Sequence, residues 1–425
     1  MSESKLTVAI IGAGSRGRCC FANYIKNSFG NLAKVIAVAE PNKIRRDRIV
    51  EEHNIPIENV FHNWQDLLAK PRLADAVIIA TQDKLHTAPA IAACEKGYNI
   101  LLEKPMATTA QECIDIVKAV EKNGVILAVC HVLRYAPYYM KIKDIITSGL
   151  IGDVCTIEHL EGVGWWHQAH SYVRGNWRNI KLASPMLMAK SCHDIDLINW
   201  WVDRKCLKVS SFGGLKHFRR ENAPDKATER CLDCPLADNK CPYSAKKFYF
   251  GLLERKISHW PLEVVIDEFS EKALEEALRI GPYGRCVYNC DNDVVDHQVV
   301  NIEFEGTVTA SFTMTAFTPH GRRTRIMATH GYLEGDEQTL KVFDFNTEQW
   351  QQFNVNDLAT DLSGGHGGGD QRLLKEFLNA VRNNDSSQLS TNARQTLQSH
   401  LIVFAAEKSR LSGRTVDMPE MGYTS

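Results

Sequence analysis

The sequence predicts an α/β protein in two parts. An N-terminal doubly wound parallel sheet comes first, and a C-terminal α+β domain on a mostly antiparallel sheet follows. Three observations carry that prediction. Short β-branched apolar runs alternate with amphipathic helical stretches through the first third of the chain. The first of these runs ends in a glycine-rich turn. From Asp296 to Phe353, β-rich segments follow one another. Strand–helix alternation lays strands side by side in parallel, whereas strands in succession pair antiparallel.

The elements follow in order. Residues 6–11 form the first apolar run, and residues 34–39 the second, ending at Glu40. Residues 75–80, 98–102 and 124–129 complete the set. Their length and Val/Ile content suit strands buried on both faces. Residues 88–96 and 110–122 read as helices between them. This first domain is expected over residues 1–133, and a second over 134–425. In the second, residues 138–148 and 194–202 read as helices, and 155–163, 299–304 and 307–315 as strands. Residues 370–382 and 391–412 read as closing helices. Residues from about 205 to 292 fit neither pattern and read as a cysteine-rich insertion. Gly364 to Gly369, with His366 inside it, is the low-complexity patch.

With 425 residues, the chain is long enough for about two domains of the usual ~100–200 residues. Apolar residues make up 44% and charged residues 24%, which excludes disorder as the dominant state. Fifty Lys and Arg face 51 Asp and Glu, so no strong field favours nucleic acid or an anionic membrane. No apolar run approaches the ~18 residues that span a bilayer. The start, Met1-Ser2-Glu3-Ser4-Lys5, has no basic leader and runs into the first strand, so a soluble, cytoplasmic protein is expected. Thirteen cysteines, an odd number, fit free or metal-bound thiols better than a disulfide framework.

Gly12-Ala13-Gly14-Ser15-Arg16-Gly17 is G-x-G-x-x-G between the first strand and a helix, the context in which that spacing signals a dinucleotide. Gly12 permits the tight turn, Gly14 lets backbone approach a pyrophosphate, and Gly17 lets helix and strand pack closely. The N–H groups from Ser15 and Arg16 onward would face the phosphates. Glu40 ends the second strand at the distance suited to a ribose 2′-hydroxyl, which favours NAD. NADP stays open, because Arg16, Arg45 and Arg46 lie near enough to meet a 2′-phosphate. Thr81 and His86 follow the strand that ends at residue 80, on the carboxyl edge of the sheet where ligands bind. Glu103-Lys104-Pro105 follows another strand on that edge. A lysine buried there is disfavoured in its charged form and can exchange a proton with a hydroxyl or carbonyl.

These motifs, together with Arg134-Tyr135-x-Pro137 and His193-Asp194-Ile195-Asp196, resemble the glucose-fructose oxidoreductase / inositol dehydrogenase / rhizopine-catabolism (Gfo/Idh/MocA) family. The resemblance covers most of the chain. It implies an N-terminal Rossmann domain and a C-terminal α/β domain with an open, largely antiparallel sheet. It further implies an NAD(P)-dependent oxidoreductase acting on a sugar, inositol or related polyol, assembled as a homodimer or homotetramer. Lys104 takes the place of the family's proton-transfer lysine and His193 that of its acid/base partner, with Tyr135 and Asp194 beside the substrate. Many members carry an aspartate four residues before that histidine. Here the position is Ala189, and Lys190 follows, placing a second lysine near the reacting carbon. Two rivals remain open: an NAD-dependent glycosidase working by transient oxidation, and a non-catalytic nucleotide-sensing regulator.

Trp165-Trp166-His167 and Arg174-Gly175-Asn176-Trp177 gather aromatic and polar groups. Trp166 and Trp177 suit the apolar faces of a pyranose, and His167 and Arg174 its hydroxyls. An aromatic core patch is the plain alternative. The glycine patch is read as a loop that brings His366 and Asp370 to the substrate, in preference to the plain reading of Asp370 as a helix cap. In the insertion, Cys231-x-x-Cys234 precedes Cys241, Cys286 and Cys290. Four thiolates make a closed structural zinc site, here Cys231, Cys234 and Cys241 with Cys286 or Cys290; unligated thiols are the alternative.

Overall fold

The structure is a computed structural model that describes residues 4–358, 365–387 and 389–422. Residues 1–3 at the start of the chain and Gly364 of the glycine patch lie outside the described residues.

The first sheet contains β1 (Leu6–Ile11), β2 (Ala33–Ala39), β3 (Val60–Phe61), β4 (Ala76–Ile79), β5 (Asn99–Leu102) and β6 (Leu127–Val129). All run parallel, in the order β3-β2-β1-β4-β5-β6. Their continuous apolar runs are explained by burial on both faces. Val8 and Ile10 of β1 enter one core, while Ala9 and Ile11 enter the other; Ile78 and Ile79 of β4 divide in the same way. The order reverses between β1 and β4, so a crevice opens at their carboxyl ends. The crossover helices have local stop signals. Helix Ala110–Asn123 starts where Thr109 accepts the Glu112 N–H and ends at Gly124, whose φ of +63° only glycine adopts without strain.

The second sheet has nine strands. In chain order they are β7 (Val154–Gly162), β8 (Cys206–Gly214), β9 (His297–Phe304), β10 (Thr309–Thr315), β11 (Arg323–Ala328), β12 (Gly331–Gly335), β13 (Thr339–Asp344), β14 (Gln349–Asn354) and β15 (Val416–Asp417). In space they run β14-β13-β12-β11-β7-β10-β9-β8-β15. Only β7 and β10 pair in parallel; the other neighbours are antiparallel. One face packs on helices Pro137–Thr147 and Cys192–Val202 through Ile142, Ile195, Ile198 and Trp201.

Two boundaries differ from the sequence expectation. The insertion begins later than residue 205, because β8 pairs with β9 over most of its length and belongs to the sheet. The insertion proper has helices Ala245–Glu254 and Glu271–Ile280 and a small core of its own around Tyr249, Leu262, Leu274 and Leu278. The closing helices also pack on the first domain. Leu373, Phe377 and Leu378 of helix Gly369–Asn383 pack under the first sheet with Phe21 and Ile25. Helix Ala393–Ser412 lends Leu397 and Leu401 to the first domain, and Ile402, Val403 and Ala406 to the second. Periodicity marks a helix as amphipathic but does not say which sheet receives its face.

A buried ion pair joins the two halves. Arg134, after β6, donates from Nε to Asp196 Oδ2 at 2.6 Å and from Nη2 to Asp196 Oδ1 at 2.7 Å, and its Nη1 donates to Ser390 O. Both residues are at most 2% exposed. Burial alone would raise the Asp196 pKa, but the Arg134 charge opposes it and the carboxyl ends below its usual range. Arg134→Met or Asp196→Leu alone should therefore cost about 3–5 kcal/mol, since each strands a buried charge, while the double variant should be more stable than either. Urea denaturation of the three variants checks this.

Candidate active site

The turn after β1 is shaped by contact. Gly12 has a φ of +90°, and a Cβ there would stand 2.6 Å from Ala80 O. A Cβ on Gly17 would stand 1.9 Å from Gly12 O. Gly14 is open: the nearest atom to its hypothetical Cβ is Arg45 Nη1, 3.9 Å away. Helical segment Ser15–Ala22 begins directly after it, and its first N–H groups lack helical acceptors. Two closed glycines flanking an open one form a cradle that fits a pyrophosphate. Glu40 braces the turn. Its Oε2 accepts the Ala13 N–H at 2.7 Å and its Oε1 the Asn42 N–H at 2.8 Å.

Two expected cofactor contacts prove to be internal. Arg16 donates from Nε to Glu103 Oε1 at 2.5 Å and from Nη2 to Asp370 Oδ1 at 2.6 Å, so its guanidinium is committed to carboxylates rather than to a phosphate. His86 is buried, with Nδ1 2.7 Å from Pro105 O and Nε2 3.2 Å from Thr81 O. It ties the loops after β4 and β5 together. Thr81 Oγ1 donates to Leu85 O, within its own turn.

Lys104 and His193 come from different domains and meet at the crevice. Lys104 is half-buried, and its Nζ donates to Ala189 O at 2.7 Å. Glu103 Oε2 accepts the Lys104 backbone N–H at 3.0 Å. His193 is 6% exposed, and its buried Nδ1 has no hydrogen-bond partner. Its ring centroid lies 5.5 Å from that of His131 and 6.3 Å from that of His366. Burial, then the Lys104 charge, drives its pKa well below the ordinary imidazole value, so the ring is neutral at neutral pH. His366 Nδ1 lies 2.9 Å from Asp370 Oδ2. Burial opposes ionisation of Asp370, but Arg16 and His366 outweigh it and hold the carboxyl well below its usual range.

Other expected ligand residues divide. Trp166 and His167 stay at the crevice in an aromatic group: Trp166 stacks on Phe248 at 5.4 Å, and His167 meets Trp260 edge-on at 5.0 Å. Burial, then Lys190, keeps His167 neutral. Lys190 Nζ lies 3.4 Å from Glu161 Oε1. The remaining four have partners within the chain. Tyr135 is 2% exposed, with its hydroxyl 3.1 Å from Thr391 Oγ1 in the first-domain core, where burial pushes its pKa up to about 12. Asp194 is fully buried, accepting from Arg322 Nε at 2.6 Å and facing His159 Nε2 at 3.1 Å. Arg174 donates to Arg285 O and Tyr243 O, both at 2.7 Å, and so pins the insertion. Trp177 donates from Nε1 to Asp83 Oδ1 at 3.1 Å, docking the second domain on the loop after β4. A count of arginines and tryptophans does not reveal that backbone carbonyls and a carboxylate already use them.

The cysteines converge incompletely. Cys231, Cys234, Cys241 and Cys286 line one small cavity with Arg174, and Cys290 stands aside, its Sγ 3.2 Å from Cys286 O. Among the described residues, no group of three or more His, Cys, Asp or Glu is placed to hold a metal ion, so the zinc expectation is not supported. Arg174 Nη2, 3.5 Å from Cys231 Sγ, puts a cation where a metal's charge would fall. Sequence reasoning also missed Arg322, Glu161, Asp83 and His131. None sits in a motif, and only the fold brings them to the crevice.

Residues 6–131 match the family described as "Oxidoreductase family, NAD-binding Rossmann fold", and residues 143–418 match its "C-terminal alpha/beta domain". The chain therefore belongs to the Gfo/Idh/MocA oxidoreductase family. The oxidoreductase YteT of Bacillus subtilis (strain 168) is 25% identical over 87% of this chain and 88% of its own. A 2,7-anhydro-N-acetylneuraminate hydratase of Mediterraneibacter gnavus is 26% identical over 63% of this chain and 66% of its own. The fold matches that of a levoglucosan dehydrogenase in complex with NADH and levoglucosan (TM-score 0.72, 19% identity, 98% of this chain and 100% of that one). Among the described residues, no helix is long and apolar enough to cross a membrane.

For four of the buried histidines, burial is the first cause of a lowered pKa. His131 falls to about 4, His170 and His400 to about 3, and His193 well below 6.5. The unfolded chain takes up protons below pH 6.5 that the folded chain refuses. Their contribution to stability is thus complete above about pH 6.5 and is lost as pH falls toward the folded values, by up to ~1.4 kcal/mol per pH unit for each. The urea midpoint should drop clearly from pH 7 to pH 5, and an unchanged midpoint would contradict burial of these rings.

Proposed function

We propose that this member of the Gfo/Idh/MocA oxidoreductase family transfers a hydride between a nicotinamide and a secondary hydroxyl of a sugar, inositol or related polyol. One observation carries the reading: a neutral, buried imidazole with an unpartnered nitrogen lies within the field of a lysine at the carboxyl edge of the first sheet. When bound, nicotinamide supplies the hydride acceptor or donor, and the chain supplies orientation and proton transfer. Gly12, Gly14 and Gly17 would hold the pyrophosphate, and Glu40 a ribose hydroxyl. His193 accepts the carbinol proton. Lys104 keeps one N–H on Ala189 O and has two left to hold the same oxygen. The Asp370 carboxylate fixes His366 at the rim of the site.

NAD is favoured over NADP. A buried carboxylate at Glu40 repels a 2′-phosphate, Arg16 is engaged, and Arg46 donates from Nη1 to Glu40 O at 2.6 Å. Arg45 alone of the three nearby arginines faces the glycine turn. A second reading, transient oxidation with net non-redox turnover, draws support from the hydratase relative. Cofactor that copurifies and shows no net reduction during turnover would select it.

Lys104→Ala and His193→Asn should each bind NADH nearly as the parent does, read by fluorescence titration, and lose at least ~100-fold in turnover. Protonated His193 cannot accept a proton, so the acid limb of kcat/KM should lie below pH 6.5. Parental turnover in both variants would remove the pair from the mechanism. Titration should also show tighter binding of NADH than of NADPH.

A further inference from the structure

The charges around the crevice are sorted by depth. Its carboxylates are sealed: the side chains of Glu161, Asp194 and Asp370 are 3%, 0% and 1% exposed. Each already has a guanidinium. Arg322 reaches Glu161 Oε2 at 2.7 Å and Asp194 Oδ1 at 2.6 Å, and Arg16 takes Asp370. The ammonium groups remain accessible. Lys104 is half-buried, and the Lys190 side chain is 19% exposed.

Lys190 is also under-paired. Its contact with Glu161 is 3.4 Å, well beyond the ~2.7–2.9 Å of a charge-assisted hydrogen bond. Lys190 directly follows Ala189, whose carbonyl holds Lys104, so the two ammonium groups share one wall. Both charges disfavour protonation of His167, which places that ring beside them and leaves it unable to act as a counter-anion.

We infer that the substrate is a carboxylate-bearing sugar, a uronic or aldonic acid, and that Lys190 is the residue that selects it by pairing with the substrate carboxylate while Lys104 holds the reacting oxygen. This rests on the reading of Lys104 and His193 given above. A carboxylate fits better than a phosphate. A dianionic phosphate is matched best by bidentate guanidinium forks, and those of Arg16 and Arg322 at the crevice are already occupied. The aromatic group of Trp166, His167 and Trp260 supplies the apolar surface for the sugar ring.

The test compares glucuronate and galacturonate with glucose and galactose, and with glucose 6-phosphate, following cofactor reduction with NAD and NADP. The parent should favour a uronate over its neutral counterpart by roughly 10- to 100-fold in kcat/KM, mostly through KM. Lys190→Met should bring that ratio close to one, and Lys190→Arg should restore most of it. NADH titration and a melting curve on each variant establish that it is folded. Preference for a neutral sugar or a sugar phosphate, or a ratio that survives Lys190→Met, overturns the inference and leaves the oxidoreductase reading standing. Absence of turnover on every substrate, despite NADH binding, overturns both.

Discussion

The site depends on a fork of hydrogen bonds buried away from it. Arg134 and Asp196 meet through two bonds in a nearly dry interface. Asp196 lies three residues after His193, on the same face of one helix. Fixing that carboxylate fixes the rotation of the first helical turn, and with it the direction of the imidazole. Arg134 in turn follows β6, a neighbour of the strand that delivers Lys104. The distance between a proton acceptor in one domain and an ammonium in the other is therefore set by a pair that touches neither.

Burial then determines the chemistry of what has been positioned. Moved from water into this interface, an imidazole loses its proton and a thiol keeps one, which is the direction seen for His193, His131 and Cys192. Carboxylates are held below their usual range where a guanidinium meets them, as at Asp194, Asp196 and Asp370. The result is a neutral acceptor set among compensated acids, with the lysines facing the entrance.

Much of this was legible in the sequence where a local signal exists. Residues 6–11 and 75–80 announce doubly buried strands by uninterrupted apolar content, and both are found on the central strands of the first sheet. Gly12, Gly14 and Gly17 announce a turn by spacing, and contacts with Ala80 O and Gly12 O show why two of them carry no side chain. Lys104 and His193 were findable by motif. Arg174, Tyr135 and Asp194 misled for one reason: each has the right chemistry for a ligand, and only the fold shows that Tyr243 O, Thr391 and Arg322 have already claimed it. Arg322 and Glu161 gave no signal, since long-range pairs leave no trace in a single sequence. The cysteine spacing announced convergence, and four thiols do share a cavity, but a guanidinium lies against one of them.

The path of the chain has a consequence for its synthesis. The first sheet is finished by Val129, yet Leu373, Phe377, Leu397 and Leu401 also cover apolar surface on its two faces. A ribosome delivers those residues only after strands β7 to β14 have emerged. The nucleotide-binding half must wait, partly uncovered, until residues 373–401 have been made, and its completion follows the synthesis of most of the second domain.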